Sequence, residues 1–415
     1  MSLAAKDATI AANMNKSKTT GATKVQSFAD FKNKLAAKWR SRTTHPALPQ
    51  PKKSDEIYTI LSRLVSIPTI TGNYEANHDA LDYIEAFLAK RGLHVKRLMF
   101  NGIESMVATI RKTKTPLIML GAHLDVVSGP EELFELHEVK GKLYGRGVLD
   151  MKYAIATYLQ ILDELPGKLT DYDLGIVITT DEEAGGNDGM GTLVEAGYLP
   201  KVCILPDGGD DWQIQTSAKG FTGVKVVAEG KAAHGSRPWM GDNAIMKLTA
   251  ALTDIQQLFA EQNAETSTCN VGLINGGKVI NQIPDYAEAS LDIRVISEAD
   301  RTKILNAIDK ICKKRGTSFS LIWSGLVCSF DLENPYIQPF KQQIERVTGI
   351  QVSGSHALGG SDARFFMPHK VPCVSFYPKG GNHHSDDEWL SKEGLYQFKD
   401  ILKGYIEQIT TNPPQ

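Results

Sequence analysis

The sequence predicts an α/β protein: a mostly parallel sheet covered by helices, interrupted by an inserted α+β segment. Three observations lead there. Short apolar runs, PLIML (116–120), LGIVITT (174–180), VCIL (202–205) and VPCVSFY (371–377), lack the polar alternation of a one-sided sheet and read as strands buried on both faces. Helical patterns lie between them, notably over 151–165, which is the alternation a parallel sheet requires. Residues 217–330 depart from this pattern. There GVKVVAEG and AEASLDIRVIS read as half-buried strands, helices are expected at 242–262 and 298–314, and no fully apolar run occurs.

The chain has 415 residues, enough for two to three domains of ~150 residues. Its 46 Lys+Arg against 48 Asp+Glu give a net charge of −2, which excludes a globally basic nucleic-acid binder. The charge is uneven. Residues 1–54 carry eleven Lys/Arg and two Asp, a net of +9, so the remainder stands near −11. Residues 1–24 are polar and aperiodic; Val25, Phe28, Phe31, Leu35 and Trp39 then follow at helical spacing with basic residues between, read as a helix docked on its own acidic body. The three prolines of THPALPQPKK (44–53) forbid regular bonding and mark a linker. The expected organisation is a basic arm and linker (1–53), a catalytic domain in two parts (54–216 and 331–415) and the insertion (217–330).

No apolar run approaches the ~18 residues of a membrane span, and no signal-peptide apolar region occurs at the N-terminus. Cys203, Cys269, Cys312, Cys328 and Cys373 are scattered and include no CxxC pair. That usage suggests a reducing compartment and excludes a disulfide scaffold or a thiolate zinc site. A cytoplasmic enzyme without membrane or nucleic-acid partners is expected.

Common nucleotide and hydrolase signatures are absent: there is no GxxxxGK[ST], GxGxxG or GxSxG, and His137-Glu138 lacks the second His of HExxH. Acidic and His residues stand instead just past the expected strand ends, where open α/β sheets hold their ligands. His123 and Asp125 follow PLIMLGA, Asp150 ends GRGVLD at a helix entry, Asp181-Glu182-Glu183 follow LGIVITT, and Asp207 follows VCILP. His383 and His384 lie in GGNHHSDDEW after the last strand. Singly, each has an ordinary explanation: a core pair, a helix N-cap, a solvated acidic turn. Together, oxygen and imidazole donors at successive strand ends, without a thiolate, suit two divalent cations sharing one carboxylate. Zn²⁺ fits this set, with Mn²⁺ or Co²⁺ as competitors.

The segments GAHLDVV, LYGRGVLDMK, TTDEEAGG, LPDGG, GKAAHGSRPWMGDNAI, NQIPDYAEASLDIR, GGSDARFF and HHSDDEW, in this order over roughly residues 57–405, closely resemble the two-metal amidohydrolase and metallopeptidase family. That family includes aminoacylases, acetylornithine deacetylases, succinyl-diaminopimelate desuccinylases, glutamate carboxypeptidases and carnosinase-type dipeptidases. The resemblance implies a zinc-peptidase-like catalytic domain with an inserted lid and dimerisation domain. It implies that Asp150 bridges the metals, that His123 and Asp207 complete one site, and that Glu183 and a late His complete the other. His-x-x-x-Glu matches His384 to Glu388; His383 is the fallback. Glu182 would be the general base and Asp125 would orient His123, with a cis Asp150–Met151 peptide. His234 would stabilise the oxyanion in the other subunit of a homodimer, and Asn281 and Arg294 would contact substrate. Lys219 stands where several relatives have Arg, so a carboxylate clamp there is weakened, because Lys lacks Arg's planar fork.

The function implied is hydrolysis of an amide or peptide bond in a small peptide or N-acyl amino acid. Asp207 is the choice of peptidase members, Glu that of deacylases, so a dipeptidase or small carboxypeptidase is expected ahead of an N-acyl-amino-acid deacylase. A catalytically silent metal-binding protein is the further alternative, as fold alone does not fix function.

Overall fold

The computed structural model describes residues 56–357 and 359–414, so the arm and linker expected over 1–53 lie outside the described residues. The first half of the catalytic region runs α1 (Glu56–Val65), α2 (Tyr74–Lys90), β1 (His94–Phe100), β2 (Ile103–Thr109), β3 (Ile118–His123), α3 (Lys152–Ile161), β4 (Leu174–Thr179) and β5 (Val202–Ile204). The insertion contributes β6 (Gly220–Glu229), α4 (Ala244–Gln256), β7 (Thr268–Gly276), β8 (Tyr286–Val295), α5 (Glu298–Arg315) and β9 (Thr317–Gly325). The chain then returns through α6 (Gln338–Thr348), β10 (Cys373–Val374) and α7 (Lys392–Thr411).

The main sheet has the order β1-β2-β4-β3-β5-β10. The apolar runs that predicted buried strands are its four parallel members, β4, β3, β5 and β10. Every residue of β3 and β4 is buried, as a strand covered on both faces must be. The sheet is mixed because β1 and β2 form an antiparallel hairpin at one edge. Asn101-Gly102 supplies its two-residue turn: both have positive φ, 45° and 88°, the dipeptide and geometry that match strand twist in tight hairpins. All ten residues of α3 are buried, and this helix packs with α1 and α7 in the core.

The insertion is a four-stranded antiparallel sheet, order β7-β8-β6-β9, with α4 and α5 packed on it. Burial alternates along β8, placing Ala287, Ala289, Leu291, Ile293 and Val295 inward, the period-two pattern of a sheet covered on one face. This core, with Leu248, Ile255 and Ile308, is separate from that of the main sheet. Entry and exit run side by side: Cys328–Ser329 pairs with Ile214–Ala218, which also pairs in parallel with Gly354–Ala357. Among the described residues, no helix is long and apolar enough to cross a membrane.

Lys152, the first residue of α3, is wholly buried. Its Nζ donates to the carbonyls of Leu64 and Ile67, at 2.9 Å each, tying α3 to the end of α1. Burial pushes this ammonium down to about 7. An unfolded Lys titrates near ~10.4, so between about pH 7 and 10 the unfolded chain binds more protons than the native one. The Lys152 contribution to stability therefore rises with pH across that window and is lost as pH falls through the folded value. Urea unfolding at several pH values should show that slope, and Lys152→Met should flatten it; an unchanged slope contradicts the assignment.

Candidate active site

The carboxyl ends of β3, β4 and β5 bring the acidic and His residues to one place. His123 is the last residue of β3, and its Nδ1 donates to the Asp125 backbone carbonyl at 2.9 Å. That bond turns Nε2 toward Asp150, whose Oδ1 is 3.1 Å away. The other Asp150 oxygen is 3.1 Å from Nε2 of His384, which lies 3.1 Å from Glu183 Oε1. Asp150 thus stands between two imidazoles, and the Asp150–Met151 peptide is cis, as the resemblance implied. Ligand-type atoms gather in two sets, His123, Glu182 and Asp207, and Asp150, Glu183 and His384, all within 4.8 Å inside each set. His384 has a left-handed backbone (φ 64°). His383 stacks on Tyr377 instead, with ring centroids 5.9 Å apart.

Glu388 holds this arrangement from behind. Its buried carboxylate accepts from the backbone N–H of Gly147 (3.1 Å), Leu149 (2.9 Å) and Asp150 (3.1 Å), and from Arg146 Nη1 (3.0 Å). Tyr377 is a residue that sequence reasoning missed: its hydroxyl donates to Asp207 Oδ1 at 2.7 Å and lies 3.3 Å from Asp150. It was hidden inside an apolar strand pattern, where an aromatic reads as core. The expected role of Asp125 is corrected. Its carboxylate is 3.7 Å from the His123 ring and instead accepts from the backbone N–H of Glu182 and Glu183, both at 3.2 Å, and from Thr71 Oγ1 at 3.0 Å. Asp125 thus meets the His123 ring through its backbone carbonyl, because the strand ends at His123.

Against burial, hydrogen bonds from His123 and His384 hold the Asp150 carboxyl below the usual range. Burial and the neighbouring Asp207 push Glu182 well above it. Hydrogen bonds to Asp150 and Glu183 push His384 up to about 10. Asp207 Oδ2 is buried and has no hydrogen-bond partner. Clustered carboxylates at these depths call for cations, and an orphaned oxygen beside imidazoles, without thiolates, is the donor set of hard or borderline divalent ions. These residues fit a metal.

The cleft in front has a volume of about 620 Å³ and is lined by Asp150, Glu182, Asp207, Asp210, His356, Tyr377, His383 and His384; among the described residues no Lys or Arg lines it. The residues expected to contact a substrate carboxylate lie outside this lining. Lys219 Nζ donates to the carbonyls of Asn263 (2.9 Å) and Thr266 (2.6 Å) in the insertion. Arg294 is paired with Asp292 and touches the Phe221 ring, which packs on Gly360 at the cleft rim. Both charges are bonded to lid partners, Lys219 buried and Arg294 half-buried. His234 and Asn281 also lie outside the cleft of their own chain. They share an exposed lid corner, where Ala233–His234 pairs with Gln282–Ile283 and Gly235 N–H donates to the Asn281 carbonyl at 2.7 Å.

A mixed α/β sheet with a lid, and two His–carboxylate sets at its strand ends, define a metal-dependent hydrolase. The profile of peptidase family M20/M25/M40 matches residues 119–408, and the chain belongs to that family. It is 26% identical over 369 residues to a succinyl-diaminopimelate desuccinylase of Hahella chejuensis, covering 83% of this chain and 95% of the relative. With one from Caulobacter sp. (strain K31) it shares 28% over 397 residues, covering 88% and 98%. The fold matches a Staphylococcus aureus tripeptidase (TM-score 0.72, 19% identity, 87% of this chain and 99% of that one). It also matches human carnosine dipeptidase 1 (TM-score 0.64, 15% identity, 86% and 96%). The protein is a hydrolase of amide bonds in small substrates, which removes the catalytically silent alternative.

Glu388→Gln places an N–H₂ where backbone donors already point. It should weaken metal affinity by roughly 10–100-fold, the usual effect of losing a ligand's support. A competition titration with a chromophoric chelator measures this, and unchanged affinity would show that the Asp150 loop holds itself.

Proposed function

We propose that this protein is a dipeptidase or small carboxypeptidase working with two divalent cations, Zn²⁺ foremost. The observation that carries the peptidase reading is the charge of the cleft. Asp210 lines it, exposed and outside the ligand sets, and among the described residues no Lys or Arg does. A peptide brings a free ammonium that such a rim attracts, whereas a succinylated substrate brings an extra carboxylate that it repels. The deacylase reading is the second one, favoured by the curated relatives, which are desuccinylases. Hydrolysis of matched dipeptides, dipeptide amides and N-acyl amino acids separates the two; a strong preference for the N-acyl compounds overturns the peptidase reading.

Asp150 would be shared between the ions, His123 and Asp207 would hold one, and Glu183 and His384 the other. Two ions bound there would polarise the scissile carbonyl and acidify the attacking water. Glu182 takes the proton from that water. Its raised pKa suits a base that must later return the proton to the leaving amine. Tyr377 and Asp125 keep Asp207 and the Glu182–Glu183 backbone in position.

Glu182→Gln should lower kcat by about 10²–10⁴-fold while metal analysis still finds two ions per chain. Loss of an ion in that variant would mean that Glu182 is a ligand and the two carboxylates have exchanged roles.

The lid supports a homodimer. Leu273 and Ile274 on edge strand β7, and Trp239 and Ile280 beside the His234 corner, are exposed large apolar side chains. In such a dimer His234 reaches the partner's cleft and stabilises the developing oxyanion. Mixing Glu182→Gln with His234→Ala chains should then restore activity, since a mixed dimer contains one intact site. No recovery after subunit exchange would place His234 outside the partner's site.

A further inference from the structure

We infer that His356, fixed by Ser217, is a specificity residue of the cleft and receives the carboxylate of the substrate. This rests on the hydrolase reading above and adds the group that recognises one end of the substrate.

His356 sits on the short strand Gly354–Ala357, opposite Ser217 of Ile214–Ala218. The register slips between Ser355 and His356, an irregularity of the kind that re-aims a side chain. His356 lines the same cleft as Asp150, Glu182 and Asp207. Its Nδ1 is 2.5 Å from Ser217 Oγ. Nδ1 is taken by the Ser217 hydroxyl, so Nε2 is the ring nitrogen available to a ligand. With its proton on Nε2, the ring is a donor oriented by the Ser217 contact.

The rest of the cleft gives that donor its purpose. A small peptide or N-acyl amino acid carries a carboxylate, and the acidic side chain lining the cleft outside the ligand sets is Asp210, which offers that carboxylate no partner. Lys219 and Arg294, the cations that could have met it, are bonded to lid carbonyls and to Asp292. Of the three cleft histidines, His384 faces Asp150 and Glu183, and His383 lies against Tyr377. His356 is the remaining imidazole, and the Ser217 bond is the support expected of a group that must hold one orientation.

The test uses the full-length, metal-loaded enzyme, a dipeptide and its C-terminal amide. His356→Ala should raise KM for the dipeptide by about 10–100-fold, the scale of a lost hydrogen bond to a charged group, with kcat little changed. KM for the amide should move by less than a few fold. His356→Gln, whose amide nitrogen can reach the Nε2 position, should retain much of the dipeptide affinity, and Ser217→Ala should fall between. Equal losses on dipeptide and amide, or a loss in kcat alone, overturn the inference while leaving the hydrolase reading intact. If the unmodified enzyme cleaves neither compound nor any N-acyl amino acid, the hydrolase reading fails and this inference fails with it.

Discussion

The Asp150 carboxylate, 3.1 Å from one imidazole on each side, is the interaction on which the site depends. It joins two segments more than two hundred residues apart, the turn before α3 and the loop before α7. Glu388, four residues beyond His384, closes the connection by accepting three backbone N–H groups from the turn that carries Asp150. One loop therefore supplies both an imidazole and the anchor of the carboxylate it faces. With Arg146 completing the Glu388 shell, the turn has little freedom to move without the His384 loop moving too.

The electrostatics follow from that geometry. Six acidic or imidazole groups are brought within a few ångströms of one another where water is scarce. Asp150 keeps its charge because two imidazoles face it, whereas burial and Asp207 drive Glu182 toward its protonated form. Adjacent residues in one chain face different partners: Glu183 faces His384, and Glu182 gathers with His123 and Asp207. The Asp125 carboxylate holds both of their backbone N–H groups.

The lid is a second structural unit with its own core, joined through two crossings that pair side by side at Ala218 and Cys328. Two of its cations, Lys219 and Arg294, are bonded within the lid itself. The strand bearing His356 belongs to the small sheet at these crossings.

The sequence by itself determined the parallel strands, the α+β insertion and the cluster at the strand ends. Buried parallel strands must be continuously apolar, and a dimetal site must draw oxygen and imidazole donors from loops at one end of a sheet; both leave local marks in PLIMLGAHLD, LGIVITTDEE and VCILPD. The antiparallel edge hairpin turning at Asn101-Gly102 was not among the strands expected from the sequence. Only the tertiary structure decided which oxygen of Asp125 meets His123, that Tyr377 reaches Asp207, that Lys219 and Arg294 are spent inside the lid, and that His356 pairs with Ser217. Those contacts join residues by direction and distance across strands, and a side chain's direction past the end of a strand is set by packing, which no local pattern of residues records.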